Sequence, residues 1–299
     1  MSALPGSIAR FDPFGPDSRP LRYLLLDIFT DTPLEGNQLA VFTDAGALGA
    51  AEMRAIAVEL KLSETVFLLA PEQGGDARAR IFTPAAEMPF AGHPVLGCAA
   101  VLAEALGRER VVVETGAGPI EVSFGPPSGR ARSGEMSQPI PTWGPFAAEA
   151  QTLAALGVGR SELPVVEYRN GPRHVMVALA DEESVAALEP DMQALARAAG
   201  ENCVSCFAGA AGSFKTRMFA PALGVAEDPA TGSAAGPLAV HCVLHGLSGF
   251  GQQIEIRQGI EIGRPSLLRA RVEGSADRID AVRVGGDALI LARGELLLG

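Results

Sequence analysis

Two turns in this chain put polar groups directly in front of apolar segments. In EDPATGSAAGPLAVHCVLHG, Glu227 to Gly246, an acid, a turn and two hydroxyls precede an almost wholly apolar run. In PFAGHPVLGCAAVLAEALG, Pro89 to Gly107, His93 stands immediately before Pro94. Proline suits the first helical position, where its missing N–H has no partner to lose. AGHP therefore reads as a helix N-terminus, its N–H groups and the positive end of its dipole directed outward. DPATGS reads as its counterpart, with Thr231 or Ser233 as the cap. Pro237 leaves the start of that helix open. Singly, each turn is ordinary capping. Two such turns at corresponding places in the chain, facing one cleft, form an anion site suited to a carboxylate.

A third stretch supplies an acid. KLSETVFLLA carries Ser63 and Glu64 at the entrance to a strand, between the apolar Leu62 and Val66. A carboxyl so placed has a raised pKa, which suits proton transfer near neutral pH. A solvated Glu closing a turn is the competing reading. The matching stretch of the second half, ENCVSCFAGA, offers no acid at that place. Its Cys203 and Cys206 form half of a zinc pattern with nothing to complete it, so they read as buried, reduced thiols. Glu64, His93 and Asp228 lack the local spacing of metal ligands, and no metal is expected.

The elements that position these groups come in two copies. RIFTPAAEMPFAGHPVLGCAAVLAEALG, from Arg80, matches RMFAPALGVAEDPATGSAAGPLAVHCVLHG, from Arg217, 137 residues later. An upstream pair, from Glu35 and Asn170, has nearly the same offset, as expected of a duplicated unit. Alternating, β-branched runs such as RYLLLDIF, ETVFLLA, RHVMVAL and IEIRQG predict strands. About Ala50 to Leu60 an amphipathic helix is expected. Pro94 to Leu106 and roughly Ser233 to Leu244 are apolar nearly all round, so each must be surrounded. The fold class expected is α+β, with two pseudo-symmetric domains, each a β-barrel around a central buried helix. The seam falls near Pro126 to Arg132. The expected boundaries are an extension at 1–20, a first domain at 21–128 and a second at 129–299. The final DALILARGELLLG, in 287–299, is free to cross back and complete the first barrel.

Charge narrows the partners. The 299 residues carry a net charge of -11 without a basic cluster, which argues against nucleic acid and anionic membranes. Apolar runs reach about 13 residues, too short for a bilayer span. The first twenty residues lack the pattern of a signal peptide, so a cytoplasmic location is expected. The remaining partner is a small molecule.

The blocks DIFTDTPLEGNQLAVF, LSETVF, RIFTPAAEMPFAGHPVLG and FAPALGVAEDPATGSAAG resemble, in order, those of the phenazine-biosynthesis isomerase family, the PhzF-like proteins. The resemblance runs from about Tyr23 to Arg269. It implies the fold of diaminopimelate epimerase, an active site between the two domains, cofactor-independent acid/base chemistry and a homodimer. It gives the proton to Glu64, with His93, Asp228 and Ser233 assisting and backbone contacts from Gly92 and Gly232. Ser63 and Thr231 join the substrate-binding set. Gln38 stands where Pro is frequent, and Val95 where Thr is frequent, which removes a hydroxyl from near the site. Epimerisation by two opposed groups, or ligand binding without chemistry, are the alternatives on the same scaffold.

Overall fold

The computed structural model describes residues 20–298, so the extension expected over 1–20 lies almost wholly outside the described residues. These residues form one continuous ladder of strands, whose first half closes into a barrel. In the first half, β1 (Pro20–Ile28), β2 (Asn37–Phe42), β3 (Glu64–Leu69), β4 (Ala77–Phe82), β6 (Arg110–Thr115), β7 (Gly118–Phe124) and β8 (Ala131–Gln138) pair in turn. The short β5 (Glu87–Met88) caps the end of β4. The long final strand β17 (Arg278–Leu297) closes this barrel by pairing with both β8 and β1.

The second half repeats the plan with β9 (Thr142–Pro145), β10 (Val166–Arg169), β11 (Arg173–Ala178), β12 (Cys203–Ala210), β13 (Ser213–Ala220), β15 (Gln253–Gln258) and β16 (Ser266–Ser275). The start of β17 joins this ladder beside β16, and β14 (Val225–Asp228) occupies the place of β5. β8 lies beyond residue 128 yet pairs with β7 of the first barrel. The chain passes to the second barrel between Gln138 and Thr142, and β17 crosses back. Barrel closure satisfies edge strands that an open sheet would leave unpaired.

Among the described residues there are six α-helices: α1 (Ala50–Leu60), α2 (Gly92–Leu106), α3 (Glu149–Leu156), α4 (Glu182–Ala186), α5 (Met192–Ala199) and α6 (Gly232–Leu244). α2 and α6 run through the two barrels. Eleven residues of each are buried, from Gly92 to Ala103 and from Gly232 to Cys242. Their composition explains this, because a helix without a polar face has no surface to offer water. Small residues let the strands close around them: a Cβ on Gly97 would lie 2.4 Å from the Leu39 side chain. The α+β, epimerase-like architecture read from the pattern is the one observed. No helix among the described residues is long and apolar enough to cross a membrane.

Candidate active site

The two central helices meet at their N-termini. A Cβ on Gly92 would lie 2.7 Å from the carbonyl carbon of Gly232 and 2.7 Å from the nitrogen of Ser233. A Cβ on Gly232 would lie 3.1 Å from the nitrogen of His93. Glycine at both positions is thus the condition for this tip-to-tip approach. Each tip carries roughly half a positive charge and N–H groups without intrahelical acceptors. Two such ends in contact repel each other, and an anion beside them relieves the repulsion.

A cleft of about 410 Å³ opens at this junction, between the barrels. It is lined by Ser63, Glu64, Gly92, His93, Asp228, Thr231, Gly232 and Ser233, the catalytic and substrate-binding set expected from the sequence. Its mouth continues into a shallower depression of about 530 Å³ beside the Thr83–Ala85 and Leu223–Glu227 turns, which are equivalent in the two halves.

Glu64 opens β3 and lies opposite Leu39 on the parallel neighbour β2. α1 delivers it there: Lys61 ends that helix in the left-handed conformation at φ 54°, turning the chain into the strand. Burial, reinforced by the Asp228 charge, pushes the Glu64 carboxyl up to about 8. His93 Nε2 lies 3.4 Å from Glu64 Oε2. This contact is not an ion pair, because burial lowers His93 to about 3 and keeps its ring neutral. Neither atom has another hydrogen-bond partner.

Asp228 ends β14 in a cage of donors. Asn37 Nδ2 donates to its Oδ1 at 2.9 Å, Ser63 Oγ to the same oxygen at 3.3 Å, and Thr231 Oγ1 to Oδ2 at 2.6 Å. Burial raises Asp228 to about 6, while these donors pull it back down. Burial thus raises both coupled acids, and raises Glu64 further, because Asp228 alone has its charge solvated by fixed donors.

Several expectations need correction. Thr231 sits at the N-cap of α6 but makes no side-chain cap there, because its hydroxyl is committed to Asp228. α2 begins at Gly92, which places Pro94 third in the helix, still within the turn where an N–H is dispensable. Val95 is wholly buried among the core side chains of the first barrel and does not reach the cleft. No correction is needed for Arg80 and Arg217, which the repeat matches: they form equivalent two-bond strand-end pairs with Glu87 and Glu227.

Other contributors escaped the sequence reading. Asn37, 1% exposed, also donates to the Ala230 carbonyl at 2.9 Å and approaches His93 Nδ1 at 3.4 Å. An amide NH2 facing Nδ1 selects the tautomer with its proton on Nε2, toward Glu64. Asn37 stood in a quoted block, but an Asn after Gly reads only as a turn. Gln258 Nε2 binds the Asp228 carbonyl at 2.8 Å and Thr231 Oγ1 at 2.9 Å, and no local pattern marks it. Pro237 lies inside α6 and cannot donate to the Ser233 carbonyl four residues back. Asn170 Nδ2 takes that acceptor at 2.9 Å.

Cys203 also lines the cleft. It pairs with His174 on β11 as Glu64 pairs with Leu39 on β2, so it occupies the place of Glu64 in the second half. Burial, with added repulsion from Asp228 and Glu64, pushes its thiol up to about 12, so it remains protonated. Cys98 and Cys242 are buried free thiols on the central helices, and Cys206 is a third, packed against the outer helices of the second half. No group of three His, Cys, Asp or Glu side chains among the described residues is arranged to hold a metal ion.

The geometry has relatives. The profile of the family described as phenazine biosynthesis-like protein matches residues 26–294. A trans-2,3-dihydro-3-hydroxyanthranilate isomerase from Pseudomonas aeruginosa is 48% identical over 277 residues, which are 93% of this chain and 99% of that protein. A solved structure described as a predicted epimerase, also from Pseudomonas aeruginosa, superposes with a TM-score of 0.81 at 33% identity, covering 93% of this chain and all of the other. A hydroxyproline epimerase from Agrobacterium vitis shares the fold alone, with a TM-score of 0.65 at 14% identity over 94% of this chain and 92% of its own. A profile match across nearly the whole barrel pair, together with a named isomerase at almost half identity, shows that the chain belongs to the phenazine biosynthesis-like family and is an isomerase.

Proposed function

We propose that the chain moves a proton between two carbons of a small, carboxylate-bearing cyclic metabolite, without a cofactor, with Glu64 as the proton carrier. The observation that carries this reading is the buried Glu64 carboxyl, raised further than its neighbour Asp228 and held beside a neutral imidazole at the junction of two helix tips. In its ionised form Glu64 accepts a proton from one carbon. The electron pair left behind delocalises through the substrate, and Glu64 returns the proton to another carbon. The step is neutral overall in protons and electrons. N–H groups at Gly92, His93, Gly232 and Ser233 face the developing negative charge, where preorganised donors in a dry site act most strongly. Neutral His93 offers Nε2–H to the carboxylate or to the substrate, and Asp228 holds Ser63 and Thr231 in place.

The name of the Pseudomonas aeruginosa relative supports a ring carrying amino, hydroxyl and carboxylate groups as the substrate class. One acid rather than two supports isomerisation over epimerisation, since the counterpart of Glu64 is the protonated thiol of Cys203. The test is substrate-dependent C–H to C–D exchange in D2O with trans-2,3-dihydro-3-hydroxyanthranilate. Exchange by the wild type that disappears in Glu64→Gln is the expected result. Exchange at the wild-type rate in Glu64→Gln removes Glu64 from the role.

A further inference from the structure

Three acids line the cleft, Glu64, Asp228 and Glu201, yet the substrate class proposed above is an anion. One permanently charged cation lines it among the described residues, Arg173. Two other arginines near the turns are already committed. Arg80 gives two bonds to Glu87, and Arg217 gives two to Glu227 and further bonds to the carbonyls of Ala186 and Leu188. Arg173 is different. Its nearest acid, Glu201, is 77% exposed and reaches one guanidinium nitrogen at 4.0 Å, beyond hydrogen-bond distance. The planar fork of five donors is left open for a carboxylate.

The backbone beneath Arg173 is fixed to the reaction centre. Arg173 opens β11 directly after the turn Asn170–Gly171–Pro172, where Gly171 takes φ +121° and the Asn170 N–H bonds the Pro172 carbonyl at 3.3 Å. Asn170 Nδ2 fastens this turn to the Ser233 carbonyl, the acceptor that Pro237 leaves free at the tip of α6. Across the β10–β11 ladder Arg173 faces Arg169, whose own charge is offset by Glu167. The backbone of Arg173 is thereby fixed relative to the N–H groups of Gly232 and Ser233, with its guanidinium within side-chain reach of the cleft they line.

We propose that Arg173 binds the substrate carboxylate and selects for it, leaving the helix tips to stabilise the charge that develops on the ring. This rests on the carboxylate-substrate reading of the site. A fork that matches a carboxylate with two parallel bonds discriminates against an amide, which can accept only one and brings a donor of its own.

The test uses binding, so it does not depend on turnover. Anthranilate, an aromatic amino-carboxylate, is titrated calorimetrically into the wild type, Arg173→Gln and Arg173→Lys, with anthranilamide in parallel. The expected result is that anthranilate binds the wild type. It binds Arg173→Gln at least about tenfold more weakly and Arg173→Lys at an intermediate strength. Anthranilamide binds all three with the same low affinity. Equal anthranilate affinity in the wild type and Arg173→Gln overturns the proposal, and so does a wild type that does not prefer anthranilate to anthranilamide. If Arg173 passes while the D2O exchange fails, the carboxylate site stands and the proton-transfer reading falls. Arg173 is largely exposed at the cleft, and unchanged melting temperatures of both variants show that the binding loss is local.

Discussion

Gly92 and Gly232 face each other across the junction of the two barrels so closely that neither position has room for a side chain. The atoms that a Cβ on Gly92 would strike belong to the backbone of Gly232 and Ser233, which cannot rotate out of the way. Gly92→Ala should therefore separate the helix tips and destabilise the fold by about 1–3 kcal/mol. It should also lower kcat by at least about tenfold, through misplaced N–H donors. Thermal melting and steady-state kinetics check both. A fully active, equally stable Gly92→Ala contradicts the tip-to-tip arrangement.

Glu64 and Asp228 titrate as a pair, and the rate should show it. Glu64 must be ionised to accept a proton, so kcat/KM should rise with pH through the acid limb and level off above about 8. The Asp228 charge is part of what raises Glu64, so Asp228→Asn should move that limb to lower pH. A limb that stays in place, or moves upward, assigns the titration to another group. The pH–rate profiles of the wild type and Asp228→Asn supply the measurement.

Stability should depend on pH through the same burial. A carboxyl whose folded pKa is raised binds its proton more tightly in the native state. Its stabilising contribution is complete below the ordinary value of 4.5 and is lost as pH rises to about 8. Glu64→Gln lacks this loss. Its melting temperature should exceed that of the wild type by a margin that opens between about pH 5 and 8 and then holds. His93, His174 and His241 have the opposite sign. Burial lowers each from 6.5 to about 3, so their contribution is present above 6.5 and lost as pH falls. Melting temperatures measured from pH 4 to 9 for both proteins test the two slopes.

Asn37 is a positioning residue for Asp228 and His93. Asn37→Ala leaves the Asp228 carboxylate and the Ala230 carbonyl each short of a buried donor, a cost of about 1–3 kcal/mol. The expected kinetic effect is a loss of about tenfold or more in kcat, with KM changed less, and a shifted pH profile, since Asp228 loses a donor that lowers its pKa. A uniform loss of folded protein with a normal pH profile among the survivors makes Asn37 merely structural.

Much of this molecule was legible in the order of its residues. The two segments apolar all round demanded a sheathing sheet, because a helix with no polar stripe has nowhere to go except a core. The repeat of one block 137 residues later made that demand twice and implied two equivalent barrels. Glu64, with apolar neighbours and no acidic partner in the second half, stood out as the odd residue. His93 and Asp228 stood out because each precedes a helix start. These are local statements about spacing and composition, and local physics decides them.

What the tertiary structure alone decided concerns groups far apart in the chain. Thr231 is suited by type and place to be a helix cap, yet its hydroxyl goes to Asp228, a stronger acceptor brought within 2.6 Å by the turn. Asn37 reaches Asp228 across 191 residues, and Asn170 reaches the one carbonyl that Pro237 cannot serve. Cys203 becomes the counterpart of Glu64 through ladder register alone. Arg173 is distinguished from Arg80 and Arg217 only by the acids that fail to reach it. Hydrogen bonds act over about 3 Å, so their partners are set by where barrel closure brings strands and helix tips together, not by sequence separation.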